Sequence, residues 1–165
     1  VYTDVLLATD GSRTAREAMD HAIALATAHD ATLHAVYVVE TRTAYDNAIV
    51  DPETVRENLR REGEAATEAV RSAAGTGLEV VTDVRTGIPH EELLAYVAAE
   101  GIDLVVMGST GRSTMKAVLL GSTASAVVEG AEVPVVLVGD ATESEDAGTD
   151  AEAEPSGDDD ASRPL

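Results

Sequence analysis

The chain has no cysteine, no tryptophan and no phenylalanine, and its only aromatic residues are four tyrosines. Without cysteine there is no disulfide, no thiol nucleophile and no cysteine-ligated metal, although the redox compartment is left open. Lysine is nearly missing as well, with Lys116 alone among eleven basic residues. No apolar run approaches the roughly 18 residues of a membrane span, and no signal-peptide pattern opens the chain. The expectation is a soluble, cytoplasmic protein without a membrane partner. Hydrophobic residues are 44% of 165, enough for one domain with a core of Ala, Val and Leu.

Negative charge is abundant. There are 31 acids against 11 bases, a net charge of −20. Residues 140–165 hold ten of the acids and one arginine, which leaves −11 for residues 1–139. Such a chain repels nucleic acid and anionic membranes. An acidic, lysine-poor composition with a small-residue core is the pattern expected of a halophilic archaeon, where the Debye length falls to about 3 Å at 1 M salt. An acidic interaction surface is the competing explanation. Residues 140–165 carry too little apolar material to offset ordering entropy, so they read as a disordered, solvating tail behind a domain at 1–139.

Periodicity divides the domain into alternating strands and helices. Residues 2–9 read as a first strand, followed by an Asp10-Gly11-Ser12 turn in which Ser12 is a good N-cap. Ala15, Ala18, Met19, Ala22, Ile23 and Ala26 then mark one face of a helix. A second strand is expected at 32–39 and an irregular connection at 40–50. A helix starts at Asp51-Pro52, with Val55, Leu59, Ala66, Val70 and Ala73 as its apolar stripe, and stops at 75–77. The third strand reads as 78–84 and a turn as 86–89. A helix follows at 90–100 with Leu93, Leu94, Val97 and Ala98 inward, then a strand at 103–107, a helix at 122–129 and a strand at 133–138. This is an open, five-stranded parallel sheet with helices on both faces, expected in the order 3-2-1-4-5. Pro134 places the last strand at an edge. Its bare apolar sequence invites pairing with a second copy, so a homodimer through 133–138 is expected.

Gly108, Gly111, Gly121 and Ser122 form a G-x2-G-x9-G-S pattern between the fourth strand and the following helix. Small residues between a strand's carboxyl end and a helix start leave backbone N–H groups bare for an anion, which points to a nucleotide phosphate. The plainer alternative is that these glycines only turn and cap the chain. For the expected strand order the sheet reverses between the first and fourth strands, after which Asp10 and Gly108 lie, so both arguments reach one crevice.

The segments VLLATDGSRTAREAMDHAIALA, LHAVYVVE, TGIPHEELLAYVAAEGIDLVVMGSTG and GSTGRSTMKAVLLGSTASAVVEGAEVPVVLV together resemble the universal stress protein family, in its ATP-binding branch, over nearly all of residues 2–139. The resemblance implies an adenine nucleotide alpha hydrolase-like fold, ATP as ligand, and Mg2+ or Mn2+ carried on its phosphates. It implies that Asp10 contacts the nucleoside near the ribose and that the Val38 backbone bonds adenine. It further implies that Gly108 admits ribose and phosphates, that Gly111 and Arg112 face the phosphates, and that Gly121, Ser122 and Thr123 hold them. Structural alternatives stay open for Asp10 as a turn residue, Val38 as core and Arg112 as solvated charge. Tyr37 stands where the family often has His; little effect is expected, since that side chain need not touch the ligand.

No Walker lysine follows the glycines and no G-x-G-x-x-G is present. A hydrolase needs a base or an oriented water near the γ-phosphate, and the motif loop has no carboxylate. His21, His29, His34 and His90 do not form a ligand spacing, and no metal site or catalytic residue is assigned. The leading expectation is an ATP-binding stress-response or signalling module, homodimeric, at most a slow ATPase, whose loop 109–120 is read by an unidentified protein partner. The alternatives are an ATPase or phosphotransferase and a nucleotide-free interaction protein.

Overall fold

The computed structural model describes residues 1–41, 51–112 and 120–139. The connection at 42–50, the loop centre 113–119 with Lys116, and the acidic stretch 140–165 lie outside the described residues, and the expectations made for them with it.

Both sides of the sheet are covered, and so its strands read as nearly continuous apolar runs. The strands are β1 (Asp4–Ala8), β2 (Thr32–Glu40), β3 (Val80–Gly87), β4 (Leu104–Gly108) and β5 (Val135–Val138). They pair in parallel in the order β3-β2-β1-β4-β5, as the sequence predicts. The helices are α1 (Arg13–His29), α2 (Pro52–Ala74), α3 (Pro89–Glu100) and α4 (Ser122–Gly130), with a 3-10 turn at Gly75–Gly77. Val5, Leu7, Leu33 and Ala35 face α1 and α2, packing with Ala18, Ala22, Ala26 and Val70. Leu6, Ala8, Val36 and Val105 face α3 and α4, packing with Leu93, Tyr96, Ala124 and Val127.

The α1 stripe is the expected one: its alanines are buried, and Met19 and Ile23 pack at its margin. Ser12 Oγ caps the helix by accepting from Ala15 N at 3.3 Å. The stripes of α2 and α3 differ from expectation. In α2 the buried residues are Gly63, Thr67 and Val70, and Ala73 is exposed. A Cβ on Gly63 would lie 2.7 Å from Tyr37 Cδ1 and 2.9 Å from Val84 Cγ1, so α2 leans on the sheet at the one position with no side chain. In α3 Leu93 and Tyr96 are buried and Ala98 is exposed. Tyr96 turns inward because its hydroxyl has a buried partner, His34 Nδ1 at 2.9 Å.

β3 runs later than its local sequence suggests. It begins at Val80, after the 3-10 turn, and takes in Thr86 and Gly87, which read as a turn. Pairing decides this, because β2 extends to Glu40 and carries β3 along to the Glu40–Gly87 pair. β5 starts two residues later than expected. Pro134 precedes it and its carbonyl accepts from Val105 N at 3.0 Å, so the proline supplies an acceptor to the sheet and is asked for no donor. At the opposite edge, Arg71 Nη2 reaches the Val80 carbonyl at 3.4 Å and Thr82 Oγ1 at 3.1 Å.

Candidate functional site

β1 is followed by a connection to β2 on one side, and its other neighbour is β4, so the sheet reverses between β1 and β4. A cavity of about 440 Å3 opens there, beyond the strands' carboxyl ends. Asp10, Val38, Gly108, Gly111, Arg112, Gly121, Ser122 and Thr123 all line it. These residues are spread over more than a hundred positions of sequence, and the fold brings them to one crevice.

Val38 has a geometric reason to be polar toward this space. Thr32 N donates to Thr3 O, and Val36 O accepts from Thr9 N, so even-numbered residues of β2 turn their backbone groups toward β1. The pairing with β1 ends at Ala8–Val36. Val38 therefore presents its N–H and C=O past the end of β1, into the cavity, beside the apolar side chains of Ala8, Leu93 and Met107. An apolar slot with one donor and one acceptor on its edge suits a flat heteroaromatic ring.

The turn after β1 and the loop after β4 are tied together by the Asp10 carboxylate. One oxygen accepts from Ser12 N at 2.9 Å and the other from Arg112 N at 3.1 Å. A Cβ on Gly111 would stand 2.9 Å from Asp10 Oδ2. Gly108 also has a packing reason to be small. A Cβ there would meet Thr14 Oγ1 at 2.6 Å and the Thr14 backbone carbon at 3.0 Å, so the close approach is to the first turn of α1. Thr14 Oγ1 in turn donates to the Thr110 carbonyl at 2.6 Å.

α4 starts at the cavity wall. Its N-cap is Gly121, with no side chain capping it. The Gly121 amide is already used, donating to the Ser109 carbonyl at 2.7 Å. The bare donors of this terminus are instead the amides of Ser122, Thr123 and Ala124, joined by two hydroxyls, all lining the cavity. Together with the helix dipole they favour negative charge at this wall of the cavity.

Arg112 is the one cationic side chain lining the cavity among the described residues. Its Nη1 lies 3.0 Å from Glu62 Oε2 on α2 and 3.3 Å from Tyr37 Oη. Glu62 holds the guanidinium more firmly charged than usual. Burial pushes the Tyr37 phenol up. Tyr37 lines the cavity, and its hydroxyl touches Arg112. Thr14, Ser109, Glu62 and this role of Tyr37 were missed. Nothing local signals Thr14 in the first turn of α1, the Ser109 carbonyl or Glu62 on α2. Of the histidines, His34 is buried between Tyr96 and Asp4 Oδ1, 3.1 Å from its Nε2, and His29 stacks edge-on against Tyr2. Among the described residues no group of three or more His, Asp or Glu converges as metal ligands, and no helix is long and apolar enough to cross a membrane.

Fold and crevice together define a doubly wound α/β domain with a ligand crevice at its switch point. The universal stress protein family matches residues 2–139, and the chain belongs to that family. It is 34% identical over 140 residues to universal stress protein MJ0531 of Methanocaldococcus jannaschii, covering 84% of this chain and 82% of that one. The solved structure of MJ0577, from the same archaeon, superposes with a TM-score of 0.75 at 28% identity, covering 84% and 96% of the two chains. A universal stress protein in complex with cAMP superposes with a TM-score of 0.58 at 26% identity, over 83% and 96%.

Proposed function

We propose that this protein is a nucleotide-binding universal stress protein whose crevice takes ATP. The observation that carries the reading is the convergence, in one cavity, of the polar edge of Val38 and the uncapped start of α4. The first suits adenine and the second suits phosphate. A cavity of about 440 Å3 is of ordinary size for a ligand of this class. The cAMP complex of a family neighbour supports a nucleotide as the ligand class.

In this reading Asp10 locks the two loops and faces the ribose, Gly108 lets the ribose and phosphates approach the backbone, and Gly111 and Arg112 face the phosphates. The amides and hydroxyls at Ser122 and Thr123 hold them, and the Gly121 backbone shapes their approach. Mg2+ or Mn2+ rides on the phosphates, mostly water-coordinated. Of the two carboxylates that line the cavity among the described residues, Asp10 and Glu40, Asp10 sits between the loops, and both its oxygens are occupied by backbone amides. It is thereby poorly placed as a general base, which favours a holder of ATP with slow or no hydrolysis over an ATPase. The molecule works in the cytoplasm as a homodimer paired through β5, and a protein partner reads the nucleotide state of loop 109–120.

The test is to denature the purified protein, identify any bound nucleotide by mass, and titrate ATP with magnesium calorimetrically into the wild type and Gly121→Val. Gly121 has φ −70° and ψ 159°, a conformation open to any residue. The valine therefore blocks the phosphate path with little demand on the backbone. Wild-type binding near one nucleotide per chain, lost in the variant, is expected. Equal affinity in the two sinks the phosphate assignment.

A further inference from the structure

The cation at the mouth of the crevice is already paired. Among the described residues the cavity is lined by the carboxylates of Asp10 and Glu40 and by a single cation, Arg112. The charge of Arg112 is already matched by Glu62, 3.0 Å away on α2. The Arg112 backbone is fixed, because its N–H donates to Asp10 Oδ2. Its side chain is not: Arg112 and Glu62 are 53% and 51% exposed. An ion pair this exposed contributes little and breaks readily. A phosphate offers the guanidinium a denser, bidentate acceptor. Tyr37 Oη, 3.3 Å from the same nitrogen, is a neutral acceptor that adds no competing charge.

We infer that Glu62 is a specificity-determining residue that lowers the preference for phosphate-rich nucleotides, withholding Arg112 from the phosphates until one displaces it. Glu62 acts through Arg112, so it is a positioning residue. The inference rests on the nucleotide reading above and goes beyond it, since it assigns selectivity to a side chain on α2 that does not line the cavity.

The experiment titrates ATP, ADP, AMP and adenosine into the wild type, Glu62→Gln, Arg112→Gln and the double variant, at the lowest salt that keeps each folded by circular dichroism. Glu62→Gln is expected to tighten ATP about two- to fivefold, as befits the loss of one exposed pair. The gain should be smaller for ADP and AMP, absent for adenosine, and reduced in the Arg112→Gln background. A gain equal for all four ligands, or none for ATP, overturns the inference while leaving nucleotide binding intact. Failure of every ligand to bind the wild type overturns the nucleotide reading and the inference with it.

Discussion

Gly63 stands inside a helix, where glycine costs stability, and the benefit is contact. The missing side chain lets α2 rest on the Tyr37 ring. Gly63→Ala should therefore destabilise the fold by about 1–3 kcal/mol, the usual penalty for overpacking, despite alanine's better helix propensity. Urea denaturation measures this, and Gly63→Ala combined with Tyr37→Leu should recover part of the loss. No change in the midpoint would mean that α2 is free to shift. The case also marks where sequence reading stops at this scale. Asp10 and the three motif glycines were legible because local turn and loop chemistry constrains them. Gly63, Glu62 and the Tyr37 hydroxyl were not, because their reasons lie in residues far along the chain, and an isolated glycine in a helical stripe looks like a defect.

Among the elements, the start of β1 is held by Asp103, just ahead of β4. One Asp103 oxygen accepts from Thr3 N at 2.7 Å, Thr3 Oγ1 at 2.7 Å and Asp4 N at 3.0 Å. Hydrogen bonds from the Thr3 and Asp4 backbone and the Thr3 hydroxyl hold this carboxyl below its usual range. A folded pKa below the unfolded one gives stability that is present above the ordinary carboxylate pKa and is lost as pH falls through the folded value. Asp103→Asn should lower the melting temperature at neutral pH, and the gap to the wild type should narrow below about pH 4. A gap that is constant with pH would mean the charge is irrelevant there.

β5 allows a second element-level test. The Pro134 and Val138 carbonyls serve β4, so Val135 and Leu137 turn their backbone groups to the open side. Val135→Pro therefore removes an outward donor and no bond within the sheet. Proposed pairing through this strand predicts that the variant sediments as a folded monomer where the wild type is a dimer; an unchanged dimer places the interface elsewhere. Strand order and the edge position of β5 could be read from periodicity and one proline. The late start and end of β3 could not, since its register is set by the length of β2.

For the whole molecule, charge dominates. A net charge of −20 stores self-repulsion that salt relieves. The melting temperature should climb as potassium chloride is raised toward molar concentrations, and ATP affinity should rise with salt or magnesium instead of falling. A steep loss of affinity on adding salt would contradict an acidic crevice waiting for an anion.

Among the described residues the two rims of the sheet are unlike: Arg71 covers part of β3, and the outer edge of β5 carries no such cover. This asymmetry sets the arithmetic of assembly. A unit with two open rims can add copies without end, as fibrils do, whereas a unit with one can join a single neighbour and is then spent. If the proposed pairing through β5 holds, assembly stops at two copies, and the chain can accumulate without growing into filaments.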